Sequence, residues 1–172
     1  LSHAGHKTGM EVISYSKRPV AVTHANPNAW HATPRNLHHD LLQALSETGG
    51  MVGFSLYPHH LKSGSECSLE EFADMASNMI QTYGSKMFGI GSDLCQGQPD
   101  SVVNWMRNGH WRKKPGPTVK FPKPPTWFKD NSDFLGLAKG LRRSTITNED
   151  VDRLVGKNWM RFLGKALVPD ER

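Results

Sequence analysis

Pro19-Val20-Ala21-Val22-Thr23-His24-Ala25-Asn26 is the stretch on which the fold turns. Pro19 to Thr23 is apolar or β-branched with no polar alternation, as in a strand covered on both faces. A histidine stands directly at its C-terminal end. Two later runs repeat this pattern. Met51-Val52-Gly53-Phe54-Ser55-Leu56 leads into Tyr57-Pro58-His59-His60, and Met87-Phe88-Gly89-Ile90-Gly91 leads into Ser92-Asp93.

The segments between these runs have a helical period. Leu37, Leu41, Leu42 and Leu45 fall on one face of 36–48, and Gly49-Gly50 supplies the stop. Ser68-Leu69-Glu70-Glu71 opens a second helix with an acidic first turn. Its apolar stripe is Phe72, Met75, Met79 and Ile80, and Tyr83-Gly84 closes it. Strand, helix, strand, helix, strand predicts repeated βα units on a parallel sheet. Further helices are expected over 10–16, 134–143 and 148–167, the last capped at Thr147.

Residues 96–129 break this rhythm. They hold Pro99, Pro115, Pro117, Pro122, Pro124 and Pro125, together with Trp105, Trp111 and Trp127, and no helical or strand period survives across them. Long connections in compact domains are commonly functional. The tryptophans favour an ordered flap over a disordered tract, because disordered tracts are poor in aromatics.

The 37% hydrophobic and 22% charged composition is that of a globular chain. The net charge of +5 is concentrated around Arg112-Lys113-Lys114, Lys120, Lys123 and Lys129. Such a cluster can attract anions or nucleic acid, but a solvated face or a lid is the simpler expectation and no nucleic-acid partner is expected. Cys67 and Cys95 form no disulfide framework, which suits a cytoplasmic rather than a secreted setting. No apolar run approaches the ~20 residues of a bilayer span. The opening Leu1-Ser2-His3 has no initiator Met and no signal-peptide order, so either a processed or excised end or a piece of a longer protein is expected.

Polar groups at the C-terminal ends of parallel strands converge on one site. Here these are His24, the Tyr57 to His60 segment and Asp93. His3 joins them if Leu1-Ser2 ends an earlier strand. Imidazoles and a carboxylate suit a divalent transition metal. Of the nine histidines, His6, His31, His38, His39 and His110 are expected to be surface residues or hydrogen-bonded fillers. On its position alone, His24 could be either a ligand or a filler. Only one of His59 and His60 is expected to face the site, because adjacent strand-end side chains alternate.

Six motifs in order match a known pattern. Leu1-Ser2-His3, Pro19 to Asn26, Pro34-Arg35-Asn36-Leu37, Gly50 to Tyr57, Gly89-Ile90-Gly91-Ser92-Asp93 and Gly156-Lys157-Asn158-Trp159-Met160-Arg161-Phe162 together resemble the membrane (renal-type) dipeptidase family. The resemblance spans nearly the whole chain except the flap.

That resemblance implies a metallo-dependent-hydrolase (β/α)8 barrel of the TIM type, of which residues 1–172 would be the C-terminal half of one domain with the flap at about 96–129. It implies a dipeptide substrate and two zinc ions bridged by a glutamate and a water or hydroxide. His3 and His24 would bind one zinc. Arg35 would pair with the dipeptide's C-terminal carboxylate, Tyr57 would line the same pocket, and Asp93 would handle the proton of the attacking water. The family's His-x-Asp pair, bridging glutamate and further catalytic histidine have no counterpart in these residues. The N-terminal half of the same barrel is therefore an expected partner, needed also to cover the strand edges, and a homodimer is a further expectation. The alternative is a non-catalytic or divergent barrel relative that binds a partner or acts on another small amide. Leu94-Cys95 departs from the family's Phe-Asp, and a buried neutral thiol is expected at Cys95.

Overall fold

A computed structural model describes residues 1–109, 114, 116, 117 and 120–167. His110, Trp111, Arg112 and Lys113 lie outside the described residues. Three parallel strands form one sheet in the order β1 (Ala21–Val22), β2 (Met51–Phe54), β3 (Phe88–Ile90). Ala21 pairs with Met51, and Phe54 with Ile90. Each strand is shorter than its apolar run. Backbone bonds continue just past the strands, with Met51 N–H donating to Val20 O, Ala25 N–H to Gly53 O and Gly91 N–H to Phe54 O at 2.9–3.0 Å.

Leu1 adds backbone pairing on the other edge of β1. Its N–H donates to Ala21 O at 2.5 Å, and its carbonyl accepts from Thr23 N–H at 3.3 Å. This is the offset of a parallel ladder, and it brings His3 beside the end of β1.

The helices follow their apolar stripes. α1 (His6–Tyr15), α2 (His39–Glu47) and α3 (Leu69–Tyr83) connect and flank the strands. α1 begins earlier than the 10–16 reading, with Gly9 packed against Leu41 of α2. Ser68 caps α3 by accepting from Glu71 N–H at 3.1 Å. Phe72, Ala76, Leu45, Val52, Phe54 and Phe88 form the centre of the core between α2, α3 and the sheet. Phe54 stacks on Phe88 at 4.7 Å between centroids.

The sequence predicts no helix in the flap, yet Asp100–Asn108 is helical (α4). Pro99 stands at its N-cap, where a missing N–H costs nothing, and the prolines that erase the period all lie further on. The flap returns to the body through Trp127, which donates to Cys67 O at 2.7 Å, and Phe128, which is fully buried. α5 (Phe134–Leu141) follows and packs on α3; a Cβ on Gly140 would meet Leu69 at 2.1 Å.

The expected single helix over 148–167 is two, α6 (Asn148–Asp152) and α7 (Asn158–Ala166), joined by a wide turn over Arg153–Lys157. The turn aims Asn158 and Trp159 at the sheet. Asn158 Nδ2 donates to Ser85 O and Phe88 O, and Trp159 Nε1 donates to Ile90 O at 2.9 Å. Gly89 is bare for this reason, since a Cβ there would lie 2.5 Å from the indole nitrogen. Among the described residues no helix is long and apolar enough to cross a membrane.

Candidate functional site

The strand ends bring together the side chains that the sequence singles out. His24 Nε2 lies 3.2 Å from His3 Nε2, 3.2 Å from Arg35 Nη2 and 3.8 Å from Asp93 Oδ2. On the other side of the same ring, His24 Nδ1 lies 2.8 Å from Thr23 Oγ1, which in turn lies 2.5 Å from Ser2 Oγ. The Thr23 hydroxyl is an acceptor for Nδ1–H and leaves the Nε2 lone pair facing out. An outer contact of this kind orients metal-binding imidazoles.

Backbone conformation singles out the same residues. Among the described residues, His3 (φ 56°) and Asp93 (φ 52°) are the two non-glycine positions in the left-handed region. That conformation is costly for side chains other than Asn or Asp, and it gathers at functional sites. At Gly53 and Gly91 the chain comes too close to Thr23 O for any side chain. A Cβ would lie 2.1 and 1.8 Å from that oxygen. The strand ends therefore close tightly under the imidazoles.

Burial, then the neighbouring His3 and Arg35, push the His24 imidazole toward its neutral form, opposed by the Asp93 carboxylate. A neutral imidazole is the form that binds metal. The pair also fits one ion geometrically. Two nitrogens at ~2.0–2.1 Å from a tetrahedral zinc lie about 3.3 Å apart, against the 3.2 Å between His3 and His24. Among the described residues no group of three or more metal-binding side chains is assembled, so these two imidazoles alone do not make a complete coordination shell.

The site opens into a cavity of about 470 Å³. His3, Arg35, Tyr57, His59, His60 and Asp93 form its polar wall, and Val103, Met106 and Phe121 of the flap form an apolar one. Both His59 and His60 line it, contrary to the alternation expected of a strand end. Pro58–His60 is a 3-10 turn, which carries consecutive side chains around the cavity rather than to opposite faces. Cys95 also lines it and is exposed rather than buried. Partial desolvation, then Asp93, push its thiol up, which keeps it neutral.

The sequence leaves the choice between His59 and His60 open and does not mark the buried groups that support His60. His60 Nδ1 lies 2.8 Å from Ser55 Oγ, and its ring lies parallel to His24 at 6.2 Å. Asn26 Nδ2 donates to Ser55 O and His60 O, its Oδ1 accepts from Ser55 N–H, and Asn36 Nδ2 donates to His60 O as well. The signal was present: a serine inside an apolar strand, and asparagines directly after His24-Ala25 and Arg35, all of which need buried partners. Two further histidines make local contacts. His6 Nε2 meets Asp40 at 3.1 Å, and His39 Nδ1 meets the Tyr83 hydroxyl at 2.5 Å.

A parallel α/β sheet with imidazoles, a guanidinium and a carboxylate around one strand-end cavity is the arrangement of metal-dependent hydrolases. The model of the membrane dipeptidase family, peptidase family M19, matches residues 1–107, and the chain belongs to that family. It is 27% identical over 96% of its length to an uncharacterized dipeptidase of Schizosaccharomyces pombe, and 27% identical over 95% to the dipeptidase aclJ of Aspergillus oryzae. Among solved structures it superposes on an amidohydrolase from Pseudomonas aeruginosa with a TM-score of 0.87 at 28% identity, over 96% of this chain and 51% of that one. A metallopeptidase from Rhodobacter sphaeroides, liganded with a phosphinate mimic of L-Ala-D-Ala, shares the fold with a TM-score of 0.74 at 23% identity, over 96% of this chain and 41% of that one. The chain spans about a third of the length of these two dipeptidases, 35% and 34%.

Proposed function

We propose that this chain supplies part of the site of a zinc-dependent dipeptidase, as the C-terminal part of a single (β/α)8 barrel. The observation that carries this reading is the 3.2 Å approach of His3 Nε2 to His24 Nε2 at neighbouring strand ends. The family's metallopeptidase relatives support it. The remaining metal ligands would come from the N-terminal half of the barrel, which would also cover the free strand edges.

His3 and His24 would hold one of about two zinc ions, whose chemistry is to lower the pKa of water toward neutrality and to polarise a carbonyl. Arg35 Nη2 now points at the His24 Nε2 lone pair. Once that lone pair is engaged, the guanidinium fork is free for a carboxylate, and we assign it the C-terminal carboxylate of the dipeptide. Tyr57 lines the same pocket. Asp93, 3.8 Å from His24 Nε2, accepts the proton of the attacking water and returns it to the leaving amine. Val103, Met106 and Phe121 of the flap give the cavity its apolar wall.

The test is His24→Ala in the complete protein. Bound zinc is expected to fall by about one ion per chain, and hydrolysis of L-Ala-D-Ala by more than about 100-fold, since loss of an outer-shell partner alone costs ~10–100-fold. Undiminished hydrolysis in this variant, or after chelation, overturns the reading.

A further inference from the structure

We infer that His60 is a substrate-binding residue, donating its Nε2–H to the carboxylate end of the dipeptide beside Arg35; this rests on the dipeptidase reading above. The ring is held at Nδ1 and by two ring neighbours. It is buried, lies parallel to His24 at 14°, and meets Tyr57 edge-on at 5.3 Å. Its carbonyl is held by both Asn26 and Asn36.

The position of its proton follows from Ser55. Ser55 is fully buried, and its Oγ accepts from Tyr57 N–H at 3.2 Å. Among the described residues the sole acceptor within reach of the Ser55 hydroxyl proton is His60 Nδ1, at 2.8 Å. A buried hydroxyl donates where it can. Nδ1 is therefore an acceptor, and the ring proton sits on Nε2.

This assignment has two consequences. His60 has no lone pair left for a metal, unlike His24 beside it. Its Nε2–H also has no partner among the described residues, and His60 lines the same cavity as Arg35. With Nδ1 accepting from Ser55, the donor at Nε2 is a neutral imidazole. A carboxylate offers about four lone-pair sites. A guanidinium fork fills part of that set, and a rigid neutral donor next to it fills another without adding charge to the pocket.

Two measurements test this. In the wild-type zinc-loaded protein, histidine ¹⁵N spectra at pH 7 should show His60 as the Nε2–H tautomer. The Nδ1–H tautomer or an imidazolium overturns the proposal. In steady-state kinetics, His60→Leu should raise KM for L-Ala-D-Ala about tenfold, the weight of one charge-assisted hydrogen bond, with kcat within about twofold. Cleavage of its C-terminal amide, which lacks the carboxylate, should be unaffected, and His60→Gln should restore most of the KM. A fall in kcat for dipeptide and amide alike would place His60 on the scissile carbonyl and overturn the proposal. So would an unchanged KM in His60→Leu. A wild-type protein that cleaves no dipeptide removes the dipeptidase reading itself, a different outcome from active wild type with an indifferent His60→Leu.

Discussion

The two walls of the cavity are built by opposite means. The strand-end wall is a polar clamp: Asn26, Asn36, Ser55 and His60 are all buried and bond one another's backbone and side chains at 2.8–3.1 Å. The flap wall is apolar and anchored mainly at its far end, where Phe128 is buried and Trp127 packs on Phe72 at 5.3 Å. Nearer the cavity Val103 is buried, but Met106 is 46% exposed. Hydrogen bonds fix direction, whereas apolar contact fixes only proximity. The groups that need aim therefore stand on the clamp, and the flap contributes shape.

The largest expected effect tests the flap's anchor. Phe128→Ala removes a buried aromatic and should cost about 3–5 kcal/mol of unfolding free energy in urea. If the flap gives only shape, the protein that remains folded should keep its zinc affinity. A fall in zinc affinity matching the loss of stability would erase the distinction between the walls. Asn26→Ala comes next, at about 2–4 kcal/mol, because it strands Ser55 N–H and weakens the hold on two carbonyls. Here zinc affinity should fall as well, since the clamp sets the end of β1. A stability loss below about 1 kcal/mol would show that the clamp does not bear on folding.

The same contrast explains what could be read from the sequence. Continuous apolar runs marked β1, β2 and β3, and leucine spacing marked α2, because burial on both faces or on one stripe leaves a periodic trace. His24 and Asp93 were visible as the residues that end those runs. That His60 as well as His59 faces the cavity was not visible, because it depends on a 3-10 turn and on Ser55, a partner five positions away that no period reveals. α4 leaves little trace for a related reason: its nine residues, Asp100–Asn108, stand directly before the prolines of 115–125, whose density erases any helical period across the segment. The wide turn at Arg153–Lys157 also leaves no periodic mark. Its purpose is to carry Asn158 and Trp159 onto β3, a tertiary demand.

Acid should act on the clamp before it acts on the flap. The folded protein holds the His60 pKa at about 4, below the ordinary 6.5. Between those values the unfolded chain binds the proton more readily, so stability rises with pH and is fully present above about 6.5. As pH falls toward 4 this group should remove at most about 3 kcal/mol. Metal-free protein compared with His60→Gln in urea from pH 7.5 to 4.5 isolates this contribution from His24, whose pKa is lowered too. Equal slopes for the two proteins would place the acid sensitivity elsewhere.

The smallest effect on stability, and the sharpest test of the division of labour, belongs to Met106. Its side chain is half in solvent and half on the cavity wall, so Met106→Ala should change unfolding free energy by no more than about 0.5 kcal/mol. If the flap shapes the substrate pocket, the same variant should alter KM among dipeptides that differ in apolar side-chain size and leave their kcat values alone. A polar wall that does all the selecting would give KM values untouched by the variant. The flap would then be a cover, and the apolar face it turns to the cavity would contribute nothing to the choice of substrate.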